Sequence, residues 1–192
     1  MNTEIEKKIQ ISKPGEARRC LEAFASFKGK EVKSDIYFTA GNVKKYNAAR
    51  HPVFRLRDNG GRLTLNFKEK VIVAGAEVNR EHEIEVGDRR GILKFAEFMG
   101  FRILVRKKKT SFVYRYGGYT IELNRLSRLG WFVEIECLKK KSAGKADYNK
   151  HIKEIDSIFR KLNLDPAKAE PRLYIEMLLS KPPGRAGWPS GN

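Results

Sequence analysis

The nonapeptide TEIEKKIQI, residues 3–11, places Glu4, Glu6 and Lys8 at alternate positions between isoleucines. In an extended chain alternate side chains share one face, so two carboxylates and an ammonium project together, opposite Ile5 and Ile9. Carboxylate oxygens suit a hard divalent cation, and an ammonium suits a phosphate. The arrangement recurs along the chain: Arg55 with Arg57, Lys68 with Lys70, Lys107 with Lys109, Glu81 with Glu83 and Glu85, Glu122 with Asn124, and Glu134 with Glu136. Most of the sets alternate with apolar residues. An ordinary sheet wet on one face explains any single run. It does not explain why the carboxylates gather on the first, fifth, seventh and eighth runs while Lys and Arg gather on the third, fourth and sixth.

A sheet closed with its charged face inward would enclose a water-filled tunnel with one acidic and one basic wall. A triphosphate carries roughly four negative charges, which Arg forks and Lys ammoniums neutralise. Mg²⁺ or Mn²⁺ held by glutamates would bridge to the phosphate oxygens. Glu4 and Glu6 would then hold metal while Lys8 reaches phosphate.

The elements that must position these groups can be read from periodicity. Ser12, Pro14 and Glu16 open a helix carrying Cys20, Leu21, Phe24 and Phe27. SDIYFTA (34–40) forms a second strand, followed by a basic loop at 42–52. A hairpin turns at Asp58-Asn59-Gly60-Gly61, and a strand over 76–86 follows. Asp88 caps a helix with Ile92, Leu93, Phe95, Ala96 and Met99. A second hairpin turns at Gly117-Gly118, and a strand begins at Gly130. The pattern then becomes helical at Tyr148, Ile152, Ile155, Ile158, Phe159 and Leu162, with a last short helix behind Pro171. The expected fold is α+β: an eight-stranded antiparallel closed tunnel or barrel with a charged interior, flanked by helices. It spans residues 1–180, with 181–192 a disordered tail rich in Pro and Gly.

Composition agrees with one folded body. The chain has 192 residues, 41% of them hydrophobic, and 40 Lys and Arg against 23 Asp and Glu give a formal charge of +17. Such a charge predicts an anionic partner, nucleic acid or phosphate. Cys20 and Cys137 lie in apolar settings without metal spacing and read as free thiols. No apolar stretch predicts export or a membrane span, so a cytoplasmic location is expected.

The motifs EIEKK, SDIYF, FRLR, LTLNFKEK, REHEIEV, VRKKKTSFVY, IELNRLSRLGWFVEIE and AEPRLYIEMLL stand in an order that resembles the CYTH family, the triphosphate tunnel metalloenzymes, over about residues 3–178. The LGWFVEIE and EPRLY segments look most like its class IV adenylyl cyclase branch. The resemblance implies dependence on Mg²⁺ or Mn²⁺ and a substrate that is ATP or another triphosphate. It puts Glu4, Glu6, Glu83, Asn124, Glu134 and Glu136 on metal-ligand positions. Lys8, Arg55, Arg57, Lys68, Lys70, Lys107 and Lys109 fall on phosphate-binding ones, and Lys8, Lys68 and Arg172 are the catalytic candidates, with Arg172 folding back toward the tunnel. Asn124 stands where the family usually has Asp, and Lys109 where it often has Arg.

Three functions remain open. Cyclisation of ATP to 3′,5′-cyclic AMP and pyrophosphate comes first, and it requires an adenosine pocket for which Tyr37, Phe38 and Tyr174 are candidates. Hydrolysis of tripolyphosphate, thiamine triphosphate or a nucleoside or RNA 5′-triphosphate uses the same tunnel. A non-enzymatic RNA- or polyphosphate-binding module would rest on Lys44-Lys45, Lys139-Lys140-Lys141 and the basic stripe Lys150, Lys153, Arg160 and Lys161. Nucleic acid is thus a secondary partner, no membrane is expected, and a homodimer is left open. His82 alternates with the glutamates and should point to the apolar side; neither it nor His51 or His151 is assigned a role.

Overall fold

The computed structural model describes residues 3–40, 43, 53–73, 76–139 and 145–181, with the backbone alone for 68–73, 77, 79–81, 139, 145 and 146. The expected tail at 181–192, the loop lysines Lys44 and Lys45, His51 and the run ending at Lys141 fall outside this set, apart from Lys181 and the backbone of Lys139.

Among the described residues, eight antiparallel strands and four α-helices make an α+β fold. The order is β1 (Thr3–Ile11), α1 (Pro14–Phe24), β2 (Ser26–Thr39), β3 (Val53–Asn59), β4 (Arg62–Val73), β5 (Ala76–Val86), α2 (Arg89–Phe98), β6 (Arg102–Tyr116), β7 (Tyr119–Leu126), β8 (Gly130–Lys139), α3 (Lys145–Lys161) and α4 (Tyr174–Leu179). Pairing runs β1-β5-β4-β3-β2-β6-β7-β8, and β1 pairs with β8 as well as with β5. Every strand therefore has a neighbour on both sides, which removes the exposed edges that invite aggregation.

Turn chemistry sets the hairpins. Asp58 Oδ1 accepts the Gly61 amide at 2.9 Å, and Gly60 and Gly61 take φ of 63° and 94°. Those left-handed values suit glycine and join β3 to β4 without strain. Asp88 caps α2 by accepting the Arg90 amide at 2.8 Å, as its position predicts.

β2 starts at Ser26, eight residues before the strand read from sequence, and takes Phe27 out of the helix. The segment KGKEVK offers no apolar alternation, and Gly29 sits at a register shift against β6, so pairing rather than pattern makes it a strand. Phe27 is 50% exposed.

The buried apolar side chains form three clusters, two on the outer face and a third under α4 that includes Leu126 and Phe132, of the same parity as Asn124 and Glu134. Helices α1 and α3 cover β1, β7 and β8, burying Ile5, Ile9, Leu21, Ile121, Val133, Ile135, Ile155 and Phe159. Helix α2 lies over Ile36, Phe38 and Leu56, and α4 packs Ile175, Met177 and Leu178 on Leu104, Leu126, Leu129 and Phe132. Burying a side chain of this size contributes about 1.5–3 kcal/mol each. His82 stacks on Phe67 at 4.6 Å, on the side away from the glutamates as its parity requires. Neither Cys20 nor Cys137 is joined in a disulfide.

Lys7 is the exception on this apolar face of β1. Its Nζ meets Asp156 Oδ1 of α3 at 2.5 Å, with side-chain exposures of 6% and 20%. Asp156→Ala strands a buried ammonium and is expected to destabilise the fold by about 3–5 kcal/mol in urea unfolding. Lys7→Met in the same background should recover most of that loss.

Candidate active site

The face opposite the two outer clusters collects the charges. Glu4, Glu6, Lys8, Arg55, Lys107, Lys109, Glu122, Asn124 and Glu134 are all buried. So many buried ionisable groups are expensive unless paired or bound to ligand, and the pairing is extensive.

On the basic side Asp35, which is 1% exposed, stands at the centre. Arg57 grips it with both Nε and Nη2, at 2.8 and 3.0 Å, Lys107 Nζ lies at 2.9 Å, and Arg55 Nη1 at 3.9 Å. Burial alone would raise the Asp35 pKa, but Lys107 and Arg57 outweigh it and hold the carboxyl well below its ordinary range. Arg55 Nε donates to Asn66 Oδ1 at 2.8 Å. Tyr37 sits over Lys107 at 5.4 Å.

Glu122 and Lys109 join the two sides at 2.5 Å, and Lys33 lies 3.3 Å from the same carboxylate. Burial opposes charge on both partners, yet their attraction dominates: Glu122 is shifted down and Lys109 up. Asn124 accepts from Ser111 Oγ at 2.6 Å and donates from Nδ2 to Glu134 at 3.1 Å. An aspartate could not make that donation, which gives a physical reason for asparagine here.

Glu4, Glu6 and Glu136 form the acidic cluster, each offering a carboxylate oxygen within 4.8 Å of the others. In register Glu6 faces Glu136 and Lys8 faces Glu134 across β1 and β8. Burial and the neighbouring Glu4 push Glu136 well above the usual carboxylate range. An all-oxygen donor set of neighbouring carboxylates fits Mg²⁺ or Mn²⁺, whose charge would favour their ionised forms.

Helix α4 reaches into this interior. Tyr174 donates its hydroxyl to Glu134 Oε2 at 2.7 Å, and its ring lies 5.3 Å from both Lys8 Nζ and Lys107 Nζ. Burial, then Glu134, raises the phenol well above its normal value. The helix is held from outside: Arg128 Nη2 donates to the Leu178 and Lys181 carbonyls at 3.0 Å, and the Glu170 amide donates to the Lys8 carbonyl at 2.8 Å. Tyr174→Phe removes one donor from buried Glu134 and is expected to cost about 1–3 kcal/mol in thermal unfolding.

The structure brings together Glu4, Glu6, Lys8, Arg55, Arg57, Lys107, Lys109, Asn124, Glu134 and Glu136. It does not bring in Arg172. Its side chain is 56% exposed and pairs with Glu170, two residues earlier, at 2.7 Å. Glu83 has inward parity opposite Asn66 but is exposed and apart from the acidic cluster. Phe38, read as a pocket candidate, belongs to the outer core and stacks on Phe54 at 4.7 Å. The side chains of Lys68 and Lys70 lie outside the described residues. Asp35, Lys33, Asn66 and Ser111 were missed; Asp35 and Tyr37 do alternate within SDIYF, which was the available signal.

An α+β sheet of eight antiparallel strands with opposed carboxylate and guanidinium-ammonium sets is the class this geometry defines. No family model matches the chain. A Methanocaldococcus jannaschii protein provisionally described as an adenylate cyclase is 21% identical over 175 residues, covering 91% of this chain and 97% of its own. Among solved structures, the PH1012 protein of Pyrococcus horikoshii is 28% identical with a TM-score of 0.73, covering 90% of this chain and 98% of that one. A Hippeastrum protein, described as a provisional adenylyl cyclase with a dominant triphosphatase activity, matches at 17% identity and TM-score 0.60, covering 85% and 89%. The neighbours carrying cyclase descriptions are of CYTH type, in agreement with the resemblance read from the ordered motifs. Among the described residues no helix is long and apolar enough to cross a membrane.

Proposed function

We propose that this chain is a divalent-metal-dependent enzyme acting on a triphosphate held in a tunnel inside the ring of strands. The observation that carries the reading is the opposition of two largely buried sets: Glu4, Glu6 and Glu136 on one side, and Arg55, Arg57 and Lys107 around Asp35 on the other.

Glu4, Glu6 and Glu136 would hold the cation, which when bound supplies Lewis-acid stabilisation of charge at phosphorus. Arg55, Arg57, Lys107 and Lys8 would bind phosphate oxygens, the Arg forks in bidentate geometry and the ammoniums as point charges. In the free protein Asp35 takes the place of such an oxygen, keeping the cations together in a site from which water is largely excluded. Preorganised cations of this kind stabilise charge developing on a leaving phosphate without rearranging at the moment of reaction.

With ATP, the ribose 3′-oxygen would form a bond to the α-phosphorus while the α–β bridging bond breaks. The hydroxyl proton passes to bulk water, and pyrophosphate departs onto the basic set. The sequence relative described as an adenylate cyclase supports this cyclisation. Hydrolysis by water is the second reading, and the interior aromatics favour it. Phe38 faces the outer core, while Tyr37 and Tyr174 are both placed against Lys107 and not opened to sandwich a base.

Purified protein with Mn²⁺ and either ATP or tripolyphosphate, followed by ion-exchange chromatography of products, tests both. Cyclic AMP with pyrophosphate establishes cyclisation, and orthophosphate with faster turnover of tripolyphosphate establishes hydrolysis. Absence of any metal-dependent product from either substrate overturns the enzyme assignment.

A further inference from the structure

The outer faces of β2, β6, β7 and β8 carry a second charged feature, unconnected with the interior. Strand register aligns Lys30 with Phe112 and Leu123, and in the next row Val32 with Thr110, Arg125 and Trp131. Phe112 and Trp131 are half-buried and stack at 6.3 Å with an interplanar angle of 22°. Both rest on the core beneath α1 and β8, which fixes their orientation. Arg18 lies 5.6 Å and Lys30 6.0 Å from the Phe112 ring, and Arg125 lies 6.0 Å from Trp131. All three cations are exposed, as is Lys108 in the adjoining row opposite Ser34. The first two rows hold no carboxylate among the described residues, and Asp58, which continues the third beyond Ser34, lies 3.4 Å from Arg89. The nearest acidic group on α1, Glu22, is engaged by Arg18 at 2.8 Å.

We infer that this face binds single-stranded nucleic acid, with bases stacking on Phe112 and Trp131 and phosphates meeting Arg18, Lys30, Arg125 and Lys108. The chemistry selects that occupant. Flat rings held rigidly by a core suit nucleobases, which stack without sequence preference. Long exposed cations, now resting over the rings, can turn onto a backbone that passes beside them. An acidic peptide would use the cations and leave the rings unused. The net charge of +17 raises the local concentration of any polyanion and speeds its arrival.

The test uses the full chain, a fluorescein-labelled 12-nucleotide RNA bearing a 5′-hydroxyl, and saturating tripolyphosphate to occupy the interior. Anisotropy titrations are run from low to high salt. Trp131→Ala is expected to weaken binding about tenfold with the salt slope unchanged, the loss of one stacked base. Arg18→Ala/Lys30→Ala/Arg125→Ala, whose residues are exposed and do not disturb folding, should lower the slope of log K against log salt by about 2. The tryptophans are Trp131 and Trp188, so a Trp188→Phe protein should show quenching of Trp131 on adding RNA. The inference is overturned if wild type shows no binding at low salt, if both variants bind as wild type does, or if tripolyphosphate abolishes binding. Equal affinity for duplex RNA or for a polyglutamate peptide overturns it as well.

Discussion

Glu6→Gln is expected to leave a folded protein whose metal-dependent turnover is lower by about a thousandfold. A bound metal contributes several kcal/mol of charge stabilisation at phosphorus, and each ~1.4 kcal/mol is a factor of ten. The same substitution removes one of three carboxylates within 4.8 Å of one another, so it relieves repulsion in the metal-free protein. Thermal unfolding without metal should therefore occur at or above the wild-type temperature, while the stabilisation that Mn²⁺ gives wild type should be lost. That combination separates a metal ligand from a residue needed only for folding, whose removal would lower both. A metal-free midpoint several degrees below wild type, with Mn²⁺ stabilisation intact, contradicts the assignment.

Asp35→Asn is expected to destabilise the fold by about 3–5 kcal/mol at neutral pH, because it leaves Arg57, Lys107 and Arg55 around a neutral group. The sign of the pH dependence follows from the direction of the shift. The folded carboxyl titrates below its ordinary range, so its stabilisation is fully present above the unfolded value near 4 and is lost as pH falls through the folded value. The difference between wild type and variant should accordingly narrow as pH drops below about 4. Phosphate oxygens can replace the lost carboxylate. Tripolyphosphate at a hundred times its dissociation constant should return about 2.7 kcal/mol to the variant, which should also bind it more tightly than wild type does. Urea unfolding at several pH values, with and without tripolyphosphate, checks both. Equal tripolyphosphate affinity in the two proteins would mean that Asp35 does not occupy a phosphate position.

The parts legible in sequence were those governed by the two-residue period of a strand. Parity placed Glu4, Glu6 and Lys8 together, put Arg55 and Arg57 on the face away from Leu56, and sent His82 away from the glutamates. Turn glycines at 60, 61 and 117 marked the hairpins, since only they tolerate the backbone there. What escaped depended on neighbours distant in sequence. Asp35 is one charge between Ser34 and Ile36, and a single charge makes no stripe. Its importance arises only when β3 and β6 bring three cations to it. Sorting strands by sign hid it further, because it is an acid within the basic wall. The first half of β2 has no apolar rhythm and is a strand because β6 pairs with it. Arg172 points outward, where Glu170, two residues earlier, accepts from both its Nε and Nη2. Phe38 fell on the wrong side for a pocket because the alternation that brings Tyr37 inward sends it out.

The central claim is that the buried basic and acidic sets together hold a metal-bound triphosphate. Calorimetric titration of tripolyphosphate into the protein, with and without Mn²⁺, tests it most directly, using Arg57→Ala for the interior and Arg62→Ala, from the exposed pair with Glu85, as the control. The account predicts one site per chain in wild type, tightened by Mn²⁺, weakened at least tenfold in Arg57→Ala and unchanged in Arg62→Ala. Binding that ignores Mn²⁺, or that falls equally in the two variants, would place the anion on the outer surface and contradict the account.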